Sequence, residues 1–205
     1  LTKEIMKLKH DDLRQALVDG TIHVIAQKGL DKTTTKAISD ATGINEVYIY
    51  RFFENKEELF KKAFEHLDNQ LVEKTLAHID VMHMHEMEYE TRCRIYFLAI
   101  WRFLVGNKDE ILTYVRYYYS QYFMNYSAEA HKERFVPLVN KCKDAFKDEA
   151  DVWMILNHIL NVMLNFAVLV HNEEVSKGDN YTEHVFRVVY RSIEQYFKTP
   201  KESGF

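Results

Sequence analysis

Apolar positions recur along most of the chain at intervals of three and four residues, the period of helices that bury one side. From about Asp11 to Lys28, Leu13, Leu17, Thr21 and Val24 or Ile25 share an inner face, with Asp11 and Asp12 favourably placed at the N-terminal end. Gly29 stops that helix, and residues 1–10 read as a mobile basic lead-in. No strand-like alternation of useful length appears, so the pattern predicts an all-α protein.

Between Thr33 and Asn55 the pattern becomes two short helices meeting at a glycine. The first starts behind the hydroxyls of Thr33 to Thr35 and carries Ala37, Ile38 and Ala41 on its apolar side. Gly43 supplies the left-handed backbone that ends it, Ile44 packs into the corner, and Asn45 caps a second helix holding Val47 to Arg51. This is a helix-turn-helix signature, in which a short second helix enters a DNA major groove about 12 Å wide. Asn55 and Glu58 form a capping box for a helix carrying Leu59, Phe60, Ala63, Phe64, Leu67, Leu71 and Leu76, which passes from the front domain into the rest of the chain. The division expected is 1–56 for the DNA-binding domain and 57–205 for an effector-binding and dimerisation domain.

Further helices are predicted from about Tyr89 to Val105, from Asp109 to Tyr126, from Ala128 to Lys147 with an interruption near Pro137, from Val152 to Val170 and from Tyr181 to Lys198. The Asp109 helix is dense in tyrosine, which suits either plain core or a ligand pocket. Phe97, Trp101, Tyr118, Tyr122, Asn161 and Asn165 are the expected pocket residues. The last helix has an apolar arc of about 200°, twice what a surface helix needs, with Val185, Val188, Val189 and Tyr196 in one sector and Phe186, Tyr190, Ile193 and Phe197 in another. That excess predicts a dimer contact through the last two helices, with the first of these sectors as the expected interface.

Composition narrows this picture in a few respects. Among 205 residues there are only six Gly and two Pro, which leaves few helix breakers. The net charge of −4 is uneven: residues 1–56 carry +1 and the remainder −5, so the front is not repelled by phosphate. Cys93 and Cys142, inside helical patterns, fit buried thiols in a cytoplasmic protein. Val152 to Val170 is long enough to span a membrane, but its Asn157, His158, Asn161 and Asn165 favour a buried helix and no membrane partner. In Met82-His83-Met84-His85-Glu86-Met87, a His-x-His-x-Glu metal site needs an extended backbone, so no metal or cofactor is expected.

From about Leu13 to Phe64 the chain resembles the TetR family of bacterial one-component transcription regulators, on Gly29, Thr34, Ile38, Gly43, Ile44, Tyr50, Phe53 and Lys56 in the family's order and spacing. It departs at Gly20, Thr21, Ser39 and Thr42, where the family favours small alanines, and at Phe52, where a polar ring is common. The resemblance implies phosphate contacts from Thr34, Lys36, Tyr50 and Lys56 and base-facing positions at Asn45, Glu46, Val47 and Tyr48. It also implies a homodimer on double-stranded operator DNA, acting as a repressor that a small-molecule effector releases. Two rival readings are a family-like scaffold that works through protein contacts without DNA readout, and a helical enzyme built on His158, Asn157 and Asn161. The second lacks paired carboxylates or nucleophile-base spacing, and no enzyme activity is expected.

Overall fold

The computed structural model describes residues 2–84 and 86–198, with side chains described from His10 onward. Among the described residues ten α-helices follow in order: α1 Thr2–Lys28, α2 Thr35–Thr42, α3 Val47–Phe52, α4 Lys56–His78, α5 Tyr89–Gly106, α6 Lys108–Tyr118, α7 Gln121–Tyr126, α8 Ala128–Cys142, α9 Val152–His171 and α10 Asp179–Ile193. No strand occurs among the described residues; Phe146 and Phe197 form one isolated antiparallel bridge. His85, on which the His-x-His-x-Glu arrangement depends, lies outside the described residues.

Several boundaries differ from the sequence pattern for identifiable reasons. The segment expected as a lead-in is helical from Thr2. The tyrosine-rich helix is two helices, because Ser120 adopts an extended backbone and its hydroxyl accepts the Phe123 N–H, starting a new helix. Pro137 sits inside α8 on an exposed face without breaking it. A capping box opens α4 in a shifted form: Asn55 Oδ1 accepts the Glu58 N–H at 2.8 Å, while Glu58 accepts the Glu54 N–H at 2.6 Å.

By packing, the chain forms two compact units. The first comprises residues 1–69 and 109–131, the second 70–108 and 132–205. The helix-turn-helix unit therefore extends beyond residue 56 and takes in α6 and α7. Its core holds Leu17, Ile25, Ile38, Ile49, Phe53, Leu59, Phe60 and Phe64. α6 supports the end of α1 directly: Thr113 donates to the Ile22 carbonyl at 2.7 Å, and Arg116 donates to the carbonyls of Ile25 and Ala26, the latter at 2.6 Å. The Ile25 carbonyl also accepts the Gly29 N–H at 2.9 Å, and a guanidinium at this end of the helix complements its dipole.

Gly20 and Thr42, two of the departures from alanine, prove to be complementary. A Cβ at Gly20 would lie 2.0 Å from Cγ2 of Thr42, so α1 passes α2 at a point where only glycine fits beside threonine. Gly20→Ala is therefore expected to destabilise by about 1–3 kcal/mol despite the better helix propensity of alanine. Thr42→Ser removes Cγ2 and leaves Cβ at 3.5 Å from the new atom, an ordinary contact. In that background Gly20→Ala should stabilise by up to about 1 kcal/mol. Urea melts of the four proteins check this, and the same sign in both backgrounds would contradict it.

In the second unit α5, α9 and α10 pack together, and α10 packs on both of the others. His158 hydrogen-bonds Ser192 at 3.0 Å and Phe166 meets Tyr181 at 6.1 Å, so α9 and α10 run antiparallel. α9 is the one helix among the described residues long and apolar enough to cross a membrane, and 33% of its most apolar stretch is buried.

Candidate nucleic-acid interface and effector cavity

The helix-turn-helix is held by local bonds that follow from its residue types. Thr34, extended at φ −109° and ψ 158°, accepts the Ala37 N–H at its hydroxyl (3.1 Å) and so caps α2. Gly43 takes φ 69°, and its N–H donates to the Ser39 carbonyl at 2.8 Å, ending α2 in the left-handed region. The Ile44 N–H then donates to Thr42 Oγ1, and the Val47 N–H to Asn45 Oδ1 at 3.0 Å. Across the turn, Thr35 Oγ1 donates to a Glu46 carboxylate oxygen at 3.1 Å.

This frame aims α3 outward. Ile49 and Phe53 are buried, while Val47 is 70% and Tyr50 60% exposed, with Tyr48 beside them at the surface. Arg51 lies 6.0 Å over the Tyr48 ring, which in turn stacks on Phe52 at 6.2 Å. Phe52 also meets His10 of α1 edge-on at 4.5 Å, so this position is an aromatic joint between α1 and α3. Lys36 is exposed, and Lys56 lies at the start of α4, 5.3 Å over the Phe60 ring.

Seven of the eight expected DNA residues thus stand at the surface or at a helix start on one continuous segment. Glu46 differs, because its carboxylate is turned back to Thr35 and half-buried. In this position it braces the turn instead of standing free toward a base. Ala41, expected on the inner face of α2, is exposed, and Ile38 alone anchors that helix.

The expected pocket set does not form one site. Tyr118 and Tyr122 belong to the first unit, in a ring cluster around Phe64 and Phe123. Trp101 donates its indole N–H to Thr182 at 3.1 Å, Asn161 donates to Asn157 at 2.8 Å, and Asn165 is exposed. The pairing of Asn161 with Asn157, and of His158 with Ser192, also occupies the groups of the suggested enzyme site. Phe97 alone of the six lines the cavity that the second unit contains.

That cavity has a volume of about 100 Å³ and is walled by α4, α5, α8, α9, α10 and the adjoining turns. Both cysteines line it, and burial pushes the thiols of Cys93 and Cys142 up to about 12. A thiol free to ionise in the unfolded chain near its ordinary value of 9.0 but held neutral in the fold adds stability below that value and loses it as pH rises toward 12. Stability should therefore decline between about pH 9 and 12, and the double variant Cys93→Ala, Cys142→Ala should show a shallower decline in urea melts across that window. An unchanged slope would count against buried neutral thiols.

The residues expected at the dimer contact divide. Val185 and Val189 are buried within the unit, as are Phe186 and Ile193 of the other sector, since α10 lies against α5 and α9 of its own chain. Val188 is 39% exposed, and on α9 Met154 is 53% exposed. Val188 lies one turn from Ser192 and Met154 one turn from His158, so both flank the outer seam where the two helices meet. Tyr196 is half-buried just beyond α10.

Two helical units, the first built around a capped helix-turn-helix with an outward aromatic helix, define an all-α helix-turn-helix protein with a helical C-terminal domain. Residues 17–63 match the family model of bacterial regulatory proteins, tetR family. Over those residues the chain is similar to the TetR family. It is similar to the nucleoid occlusion factor SlmA of Haemophilus influenzae, 27% identical over 77 residues, which are 37% of this chain and 35% of that protein. It is also similar to IcaR of Staphylococcus epidermidis, the HTH-type negative transcriptional regulator of the biofilm operon icaADBC, 29% identical over 68 residues, 33% of this chain and 37% of that one. These matches span about a third of the length of the curated relatives. The fold reaches further: a TetR family transcription regulator from Marinobacter aquaeolei VT8 superposes with a TM-score of 0.74 over 91% of this chain and 97% of its own, at 14% identity.

Proposed function

We propose that the chain is a cytoplasmic, homodimeric transcription regulator that represses by binding operator DNA and is released by a small molecule held in its second unit. The observation that carries this is the α3 surface, where Val47, Tyr48 and Tyr50 stand exposed in succession on a helix fixed by the Gly43 turn and the Thr35–Glu46 bond. Thr34 retains its hydroxyl hydrogen for a phosphate, Lys36 and Lys56 supply charge, and Tyr50 supplies a second hydroxyl. Val47 suits a thymine methyl, and Asn45 keeps its amide N–H groups free for a base acceptor once its oxygen caps Val47.

Two subunits paired through the outer seam of α9 and α10 present two α3 helices to half-sites one helical turn apart, about 34–36 Å. α4 begins at Lys56 beside the reader and ends at Thr75, Ile79 and Met82 of the cavity wall and the turn that follows, so one helix joins grip to effector. A ligand that binds better when α4 is shifted lowers operator affinity by its differential affinity for the two states. Negative regulation is the named role of the staphylococcal relative.

The test is a salt titration of duplex binding by fluorescence anisotropy. Lys56→Ala should weaken binding to all sequences alike and lower the salt slope by about one per subunit, while Tyr50→Phe should weaken binding uniformly with little change in slope. An unchanged slope for Lys56→Ala would remove its phosphate role. A dimer that retains no duplex at low salt would leave the protein-interaction reading instead.

A further inference from the structure

We infer, on the reading of the second unit as an effector domain, that its cavity takes a small uncharged apolar molecule of about one ring, admitted past Phe186 and Tyr190 of α10. None of the side chains lining the cavity is an Asp, Glu, Lys, Arg or His, and nearly all of its wall is carbon and sulfur, as at Phe97, Ile100, Leu160 and Met163. The hydroxyls of Tyr96 and Thr75 are already committed. Tyr96 donates its hydroxyl to the Thr75 carbonyl at 3.2 Å, and Thr75 donates to the Val72 carbonyl at 2.8 Å. Both thiols are held neutral by burial and act as soft apolar wall, so they offer no anion to a cation or metal.

A charged ligand entering here would lose its hydration and gain no partner, which is the costliest way to bury a charge. An apolar one gains in proportion to the area it removes from water. Size follows from volume: a dry apolar cavity of about 150 Å³ holds benzene, and about 100 Å³ here admits one ring with a small shift of Met82 or Met163.

The entrance is placed there because a second groove shares Phe186 and Tyr190 with the cavity. The two rings stack at 5.6 Å, and Arg94 packs 4.1 Å over Phe186 while pairing with Glu183. The groove also contains Arg187, Arg191 and Glu90, but each is bonded: Arg187 to Glu183, Arg191 to Glu194, and Glu90 to Arg94. These pairs leave no unpaired cation at the mouth to hold an acid head group.

The experiment uses the full chain and three probes of one shape, toluene, benzoate and benzylamine, with binding read by thermal shift and calorimetry. Toluene should raise Tm by several degrees and bind at least tenfold more tightly than either charged probe. Ala145→Met and Cys142→Met, each adding bulk at the cavity wall, should weaken toluene at least tenfold in whichever variant keeps the wild-type circular dichroism and oligomeric state. Arg187→Ala with Arg191→Ala should leave toluene binding unchanged. Stronger binding of benzoate or benzylamine overturns the uncharged class, and so does absence of toluene binding or its persistence in the filled variants. Anisotropy with an operator duplex separates the underlying reading: toluene bound in the cavity without effect on DNA affinity supports the ligand class and contradicts the effector role.

Discussion

Asp68→Ala is expected to destabilise the chain by about 3–5 kcal/mol, the largest loss from any single polar substitution in the first unit. Asp68 lies on α4 with its side chain fully buried. One of its oxygens accepts the Tyr114 hydroxyl of α6 at 3.1 Å and the His131 Nδ1–H of α8 at 2.9 Å. A single carboxylate therefore ties three helices around Phe64, whose ring stacks on Tyr117 at 4.7 Å and lies 5.1 Å from Tyr114. Removing the acceptor takes this carboxylate from two buried donors at once. Asp68→Asn keeps an acceptor oxygen and the volume, and should cost about 1–2 kcal/mol. Urea denaturation of the three proteins checks the order; a loss below about 1 kcal/mol for the alanine variant would show that the network is dispensable.

For the homodimer proposed above, Val188→Glu combined with Met154→Glu is expected to raise the dissociation constant by more than about a hundredfold while leaving monomer stability within about 0.5 kcal/mol. Both positions are solvent-exposed on the subunit, so a charge there costs little in the monomer. Paired across a two-fold axis, each glutamate meets its own copy or the other, and like charges in an apolar contact are strongly unfavourable. Operator binding should fall further than the intrinsic half-site affinity requires, because linking two readers raises apparent affinity by about 10²–10⁴. Sedimentation at micromolar concentration and anisotropy on a full operator measure the two effects. A variant that remains dimeric places the contact elsewhere.

How much of this was legible in sequence depended on whether a residue's role is local. Thr34, Gly43, Asn45 and Asn55 act on backbone within four residues, and each makes the bond its position implies. Side chains that act across the fold were harder to read. Arg116 and Asp68 make their decisive bonds to groups 46 to 91 positions away, and no periodicity encodes that. Thr35, eleven residues from Glu46, turned a presumed base reader into a brace. The helical wheel gave the correct arc for α10 but could not show that α5 and α9 of the same chain cover most of it, which leaves Val188 rather than Val185 or Val189 at the surface. The pocket set failed for a similar reason: the aromatic run belongs to one unit and the cavity to the other.

Phe52 gained a meaning the sequence did not supply. Its apolar ring breaks the family's polar habit there, and the structure gives it work as the joint between His10 and Tyr48.

The central claim is that α3 reads DNA as one of a pair. Selection of bound fragments from a random duplex library by the purified chain tests it most directly, with Val47→Ala selected in parallel. The expected result is enrichment of an inverted repeat with half-site centres about one helical turn apart, and relaxation of one symmetric pair of positions in the variant. Enrichment of no motif, or of a single unrepeated site unaffected by Val47→Ala, would contradict it.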